Sequence, residues 1–347
     1  MTPSDPPPSS QDTPYAGLHP DLVLDALDSV GLRGDGRLLQ LNSYENRVFQ
    51  VFLEDGGAVV AKFYRPGRWS DEQILEEHEF SAELAAEEIP VVAPCVLSRV
   101  DNARHPVTLR GEPPTLALAR TAHGSFRFGV AERRAGRAPP LESVADLEWI
   151  GRFIGRMHRV GSRRAFTTRK TLSVADLGWA SRDWICEHRV VPAHTATPWK
   201  QACDEALERV QAAFDRAGAL RVIRLHGDCH AGNVLWTDDG PHFVDLDDAM
   251  NGPAMQDLWM LLGDPGENRA QWRALLAGYE AFMDFDEREL ALVEPLRTLR
   301  IVHYGAWLAR RWNDPAFPAA FPWFKDAQYW EQQTQLLREQ AQRMRPA

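Results

Sequence analysis

The sequence predicts an α+β chain of two lobes: a small antiparallel sheet carrying one long helix, then a larger, mainly helical lobe. Three observations carry this. The 347 residues exceed one compact core, at about 150 residues per domain. Alternating apolar positions bounded by turn residues dominate the first hundred or so positions. Beyond them apolar residues recur at helical spacing, interrupted by one short β interlude.

In order, residues 1–17 are rich in Pro, Ser, Asp and Thr and read as a disordered tail. His19-Pro20 opens a short helix through Leu22, Ala26, Leu27 and Val30, and Gly31 stops it. Arg47 to Leu53 alternates, Glu54-Asp55-Gly56-Gly57 turns the chain, and Ala58 to Tyr64 returns as the second arm of a hairpin. Pro66 and Gly67 end it. A helix from about Ser70 to Glu87 follows, with Asp71 and Glu72 suited to its N-terminal dipole. Ile89 to Leu97 and Pro106 to Leu118 read as further strands. The lobe boundary is placed near Ala119 to Gly124, giving lobes of 18–120 and 121–347. In the second lobe, Ile150, Phe153, Ile154 and Met157 fall at helical spacing, as do the apolar residues of Trp199 to Ala217. Val222 to Leu225, Val234 to Trp236 and His242 to Val244 form the β interlude. Helices over Arg269 to Met283 and Arg288 to Arg311 fill much of the rest.

Composition excludes several function classes. No apolar run approaches the roughly 18 residues of a membrane span. The start, Met1-Thr2-Pro3-Ser4-Asp5, has no basic n-region or apolar h-region of a secretory signal. A formal net charge of -10 opposes a nucleic-acid surface, which needs clustered Lys and Arg. Cys95, Cys186, Cys203 and Cys229 are scattered without a C-x-x-C pair, as expected for idle thiols in a reducing cytoplasm. Without a sustained heptad pattern, a monomer is expected. Only Lys62, Lys170, Lys200 and Lys325 are lysines among 39 basic residues, so a retained lysine hints at a need for a compact ammonium.

The densest chemical signal is Leu225-His226-Gly227-Asp228-Cys229-His230-Ala231-Gly232-Asn233, followed by Phe243-Val244-Asp245-Leu246-Asp247-Asp248. Asp228 and Asn233 are five apart with small residues between them, so the loop can curl back. Asp245 ends a hairpin arm and faces the same side. An Asp carboxylate with an Asn carboxamide oxygen suits Mg²⁺. A separate Asp can accept a proton from an attacking hydroxyl. His226, Cys229 and His230 read poorly as a zinc site, because histidines four apart need a helix and Gly227 and Gly232 oppose one. Lys62 alternates with Val60 and Tyr64 on one sheet face, where an ammonium is costly unless paired. The competing reading is a lysine that snorkels to solvent.

His226-x-Asp228-x-x-x-x-Asn233 with a following Asp245 resembles the catalytic loop and metal-binding Asp of the protein-kinase-like superfamily. The HGD form, with Asp-Leu-Asp in place of DFG, resembles its aminoglycoside phosphotransferase and choline kinase branch. Leu41 to Val48, Val60 to Pro66, Asp257 to Leu262 and Trp312 to Pro318 together resemble the stress response kinase A family, from about His19 to about Trp330. The resemblance implies a two-lobed protein-kinase-like fold with a nucleotide-binding first lobe. It implies ATP and Mg²⁺ as cofactors, Asp228 as catalytic base, and Asn233 and the catalytic Asp245 as metal ligands. Lys62 would contact the α- and β-phosphates, held by a glutamate on the next helix. Glu77 is chosen over Glu76 and Glu79 by its spacing to Ile89-Pro90. Ser43 would lie over the ATP phosphates, and the linker after Leu118 would bond adenine.

The chain departs from the eukaryotic kinase pattern. Ser43-Tyr44-Glu45-Asn46 stands where G-x-G-x-x-G would be, no A-P-E follows Asp245, and no P-loop motif exists. Only a dozen residues separate Asp245 from Asp257, too few for a phosphorylatable activation loop. Asp247 reads as a second metal or phosphate contact or as a brace. Asp257 reads as a cap or a partner of the catalytic loop, and His158 and His230 as buried structural residues. The aromatic-proline run from Pro315 to Phe324, with Trp330, lines a substrate surface or forms a packed cover. The resemblance to the stress response kinase A family implies a Ser/Thr protein kinase of bacterial stress response acting on a protein substrate. The alternatives are a kinase for an amino alcohol, sugar or homoserine-like hydroxyl, and a nucleotide-binding pseudokinase. The last predicts loss of Lys62, Asp228, Asn233 or Asp245, and all four are present.

Overall fold

The computed structural model describes residues 14–101, 103–122, 124–263, 266 and 268–345. The first elements are α1 (Pro20–Asp28), β1 (Gly34–Leu41), β2 (Arg47–Leu53), β3 (Ala58–Phe63), α2 (Asp71–Ala86), β4 (Val107–Arg110), β5 (Leu116–Thr121) and β6 (Gly124–Glu132). Then come α3 (Val144–Gly161), α4 (Ala180–Glu187), α5 (Ala193–Ala217), β7 (Ile223–Leu225), β8 (Val234–Thr237), β9 (Gly240–Phe243) and β10 (Met250–Gly252). The chain closes with α6 (Met255–Leu258), α7 (Arg269–Glu280), α8 (Val293–Arg310), α9 (Ala316–Ala320) and α10 (Ala327–Arg343). Two compact units result: residues 1–139 with 232–247, and residues 140–231 with 248–347.

Unit one is built on a six-stranded antiparallel sheet in the order β1-β2-β3-β6-β5-β4. Alternation in β3 sends Val59, Ala61 and Phe63 to one face, where they pack with Leu22, Val23, Ala26 and Leu27 of α1. The other face carries Tyr64 and Leu116 against Ile74 of α2. Helix α2 starts in a capping box: Gln73 N donates to Ser70 Oγ (3.3 Å) and Ser70 N to Gln73 Oε1 (3.0 Å). The hairpin β8–β9 belongs to this unit, and Val91 and Phe243 bridge it to the stretch after α2.

Several expectations are corrected. Thr121 and Gly124 close the β5–β6 hairpin, so the boundary expected at 120/121 falls inside the sheet, and the unit instead runs to residue 139. The expected linker after Leu118 is likewise strand. The mainly helical lobe is expected to start at 121, but 124–132 form a central strand between β3 and β5. Ile89 to Leu97 forms only isolated bridges at Val91 and Pro94. Of the tail expected over 1–17, residues 1–13 lie outside the described residues. Pro14 to Gly17 form a turn in which Tyr15 donates to Glu45 O at 2.9 Å and stacks under Arg47 at 4.4 Å.

Unit two is mainly helical. α3 and α7 approach so closely that an added Cβ would lie 2.1 Å from Leu275 O at Gly151, 2.5 Å from Tyr279 O at Gly155, and 2.0 Å from Glu148 O at Gly278. Only glycine permits that backbone contact. β7 pairs antiparallel with β10 and feeds the loop that follows it. α5 packs on α10 through Trp199 and Trp330, edge to face at 5.6 Å. Phe317, Phe324 and Trp330 are fully buried, so the aromatic-proline run is chiefly a packed cover, with Trp323 at its exposed rim. No helix among the described residues is long and apolar enough to cross a membrane.

Candidate functional site

In unit one, Lys62 lies on β3 between Val48 of β2 and Gly129 of β6. Its face is the α2 face, less deeply buried than the Val59–Ala61–Phe63 face. Its ammonium donates to Asp245 Oδ1 at 2.8 Å, lies 3.2 Å from Asp247 Oδ1, and sits 5.3 Å from the Tyr64 ring centre. Burial works against the charge, but Asp245, Asp247, Tyr64 and Glu77 outweigh it and hold its pKa well above the ordinary lysine value. The snorkelling alternative therefore fails.

Asp245 follows β9 in the left-handed region at φ 61, a conformation Asp tolerates better than most residues. Val244 N donates to Asn233 O at 3.0 Å, which brings Asn233 and Asp245 to one end of the β8–β9 hairpin. Two oxygen-bearing side chains suffice for Mg²⁺, which usually keeps waters and takes its remaining ligands from phosphate. Asp247 has a different setting. It is buried and accepts from Asn46 Nδ2 at 3.0 Å and from Arg68. Asn46 in turn accepts from Arg65 N at 3.1 Å, and Glu45 lies 3.8 Å from both Arg65 and Arg68. The Ser43-to-Asn46 turn is thus stapled by side chains where glycine-rich loops rely on bare backbone, and Ser43 sits half-buried within it. Of the three α2 glutamates weighed as partners of Lys62, Glu77 alone is buried, Glu76 is half-buried and Glu79 exposed. Glu77 accepts from Ser81 Oγ at 3.0 Å and reaches Lys62 through its field, while Asp245 takes the direct ion pair.

In unit two, Asp228 sits in the loop after β7. Arg300 of α8 donates to its Oδ1 at 2.5 Å, and His230 Nε2 lies 3.4 Å from its Oδ2. Burial would raise its pKa, but His230 and Arg300 overcome that and hold it below the usual carboxylate range. His230 is partly exposed beside Asp228, not buried as expected. The loop is anchored from below by Asp257, which is fully buried. Asp257 accepts from His226 N at 2.7 Å, Gly227 N at 2.8 Å and the buried His158 at 3.0 Å. Gly227 is in the left-handed region at φ 87, and a Cβ there would lie 2.1 Å from Asp248 O.

Asp257 is itself set by α6, whose Met255 N donates to buried Glu289 at 2.8 Å. Burial pushes the Glu289 carboxyl up to about 7. Since its folded pKa is raised, the stability it lends is present below the unfolded value and lost as pH rises from about 4.5 to 7. Glu289→Gln, which keeps an acceptor for Met255, is expected to raise the thermal midpoint at pH 8, with the gain shrinking toward pH 5. An equal gain at both pH values would contradict this.

Sequence reasoning missed Arg300 and Glu289. Arg300 is 72 residues from Asp228, and no local spacing signals the pair. It missed the stapling role of Arg65 and Arg68, whose only signal was a cluster of arginines directly after Lys62.

Residues 37–293 match the model of the phosphotransferase enzyme family. Stress response kinase A from Escherichia coli (strain K12) is 44% identical over 328 residues, 94% of each chain. A serine/threonine protein kinase RdoA from Salmonella typhimurium is 43% identical over 94% of this chain and 93% of its own. Two solved structures share the fold. An amicoumacin kinase in complex with AMP-PNP, Ca²⁺ and Ami has a TM-score of 0.64 at 18% identity, covering 91% of this chain and 93% of its own. A microcompartment-associated aminopropanol kinase has a TM-score of 0.65 at 16% identity, covering 94% and 99%. A family match that takes in β1 through the start of α8, and relatives that align nearly end to end, lead to one conclusion: the chain belongs to the phosphotransferase enzyme family, on its stress response kinase A branch.

Proposed function

We propose that the protein is an ATP- and Mg²⁺-dependent Ser/Thr protein kinase of the bacterial stress response, working in the cytoplasm as a monomer. The observation that carries the reading is the Lys62–Asp245 ion pair beside Asn233, a phosphate-binding cation next to two hard-oxygen ligands. Lys62 would hold the α- and β-phosphates. Asn233 and Asp245 would hold Mg²⁺, which when bound offsets charge on the phosphates. Ser43, in its stapled turn, would lie over them, and Glu77 would support Lys62. Asp228 would orient the acceptor hydroxyl. As the oxygen bonds to the γ-phosphorus, the β,γ-bridging P–O bond breaks and its electrons leave with ADP. The hydroxyl proton passes to the Asp228 carboxylate. The names of the 43–44% identical relatives support the protein substrate and the stress role.

The test supplies labelled ATP and Mg²⁺ with Ser/Thr-rich proteins in one arm and amino alcohols, sugars and hydroxy amino acids in the other, Asp228→Asn serving as control. Label in protein that vanishes in the variant supports the proposal. Label only in a small molecule replaces it with a metabolite kinase. Nucleotide binding without turnover in either arm points to a pseudokinase.

Asp247 separates two roles for the acidic loop. As a staple, Asp247→Ala should raise KM for ATP about tenfold by releasing Asn46 and Arg68, a loss typical of charge-assisted hydrogen bonds. The Mg²⁺ concentration for half-maximal rate should move less than about twofold, whereas Asp245→Ala should abolish Mg²⁺-dependent nucleotide binding. A large Mg²⁺ shift in Asp247→Ala would make it a metal ligand instead.

A further inference from the structure

An acceptor hydroxyl gives its proton to Asp228 by hydrogen bonding to one of its two oxygens, and both already face a donor: Arg300 donates to Oδ1 and His230 Nε2 lies 3.4 Å from Oδ2. Among the described residues the guanidinium's other hydrogen-bond contact is Met260 Sδ at 3.1 Å, and its side chain is 46% exposed. Both contacts run through Nη1, so Nε and Nη2 carry the rest of a fork shaped for a carboxylate. The neighbouring basic side chains on α8 are engaged elsewhere: Arg297 lies 3.4 Å from Glu294 and over the Trp259 ring, and His303 bonds Ser181. Arg300 is the cation of this helix that is both in contact with Asp228 and open to an incoming ligand.

We propose that Arg300 reads the acceptor, holding Asp228 until a carboxylate carried beside the acceptor hydroxyl takes over its guanidinium, so that the enzyme selects hydroxyls flanked by an acidic group. A neutral acceptor must pull Asp228 from its partner without compensation. An acidic one exchanges one ion pair for another and leaves Oδ1 free for the hydroxyl. The inference rests on Asp228 being the base. It adds the acceptor's chemical class, and it places Arg300 in acceptor binding.

The test uses the full chain with ATP and Mg²⁺. Serine peptides are compared in pairs that differ only by Glu or Gln at one position, two on either side of the serine. Serine against serinamide forms the small-molecule arm and tells a free hydroxy acid from an acidic peptide. The wild type should favour the acidic member of at least one pair by about tenfold in kcat/KM, the scale of a charge-assisted hydrogen bond. In Arg300→Ala that ratio should fall to near one, and Arg300→Lys should restore part of it. A wild type indifferent to the acid, or a preference that survives Arg300→Ala, overturns the inference while phosphotransfer stands. Equal slowing of both members with the ratio intact makes Arg300 merely structural. No labelled acceptor at all, with ATP bound, removes the phosphotransfer reading and this inference with it.

Discussion

Asp228→Asn is expected to lower kcat by about a thousandfold while ATP affinity stays within about twofold. A positioned general base contributes roughly 10²–10⁴ in rate. The carboxamide keeps the shape of the side chain and can still accept from Arg300, so the loop should remain in place. What it loses is the capacity to take the proton. The nucleotide-binding candidates Lys62, Asn233 and Asp245 belong to unit one and are unaltered. Titration with a nucleotide beside steady-state kinetics checks both halves, and a matching loss of ATP affinity would reassign Asp228 to binding. The pH profile adds a second reading. Arg300 and His230 hold Asp228 below the ordinary carboxylate range, so activity should survive acidification through that range and fall only beneath it. Removing Arg300 should move that acid limb upward, because burial then meets less opposition.

Asp257→Ala is expected to cost about 4 kcal/mol and to lower the thermal midpoint of unit two by roughly 10 °C. The carboxylate is fully buried, and it accepts from two successive backbone N–H groups and a buried histidine. Truncation strands all three donors where water cannot reach them. The same N–H groups belong to His226 and Gly227, directly before the candidate base, so activity should fall with stability. Calorimetry at neutral pH is decisive, and a cost under about 1 kcal/mol would show that water or another acceptor replaces the carboxylate. Asp257→Asn should be milder, since one carbonyl oxygen can keep part of the set.

Elements legible in the sequence differ from the rest for a physical reason. Helix α2 and the β2–β3 hairpin announce themselves locally, through a cap residue and a turn between alternating runs. Strand β1 is half-buried at best along its length, so no alternation marks it. Strand β6 has small and polar residues at its start, and Gly129 within it leaves room for His78, whose ring bonds Tyr64 and Thr115. A glycine that serves packing looks, in one dimension, like a break. The site divides the same way. Asp228, Asn233, Asp245 and Asp257 fall in short, dense motifs. Asp247, read as ligand or brace, finds its staple partners some 180 to 200 residues away, at Arg68 and Asn46. Arg300 and Glu289 act through contacts that exist only after folding.

The hairpin that carries Asn233 and Asp245 is coded well after the six-stranded sheet of the same unit, for unit one breaks off at residue 139 and resumes at 232. On the ribosome, the first sheet must therefore wait while roughly a hundred further residues are made, about 5–20 seconds at ordinary elongation rates. Through that interval Lys62 has neither Asp245 nor Asp247, and the turn at Asn46 lacks its staple. The nascent chain can form a sheet before it can form a phosphate site, so a truncated product of synthesis would carry the fold's first half without the ion pairs that equip it.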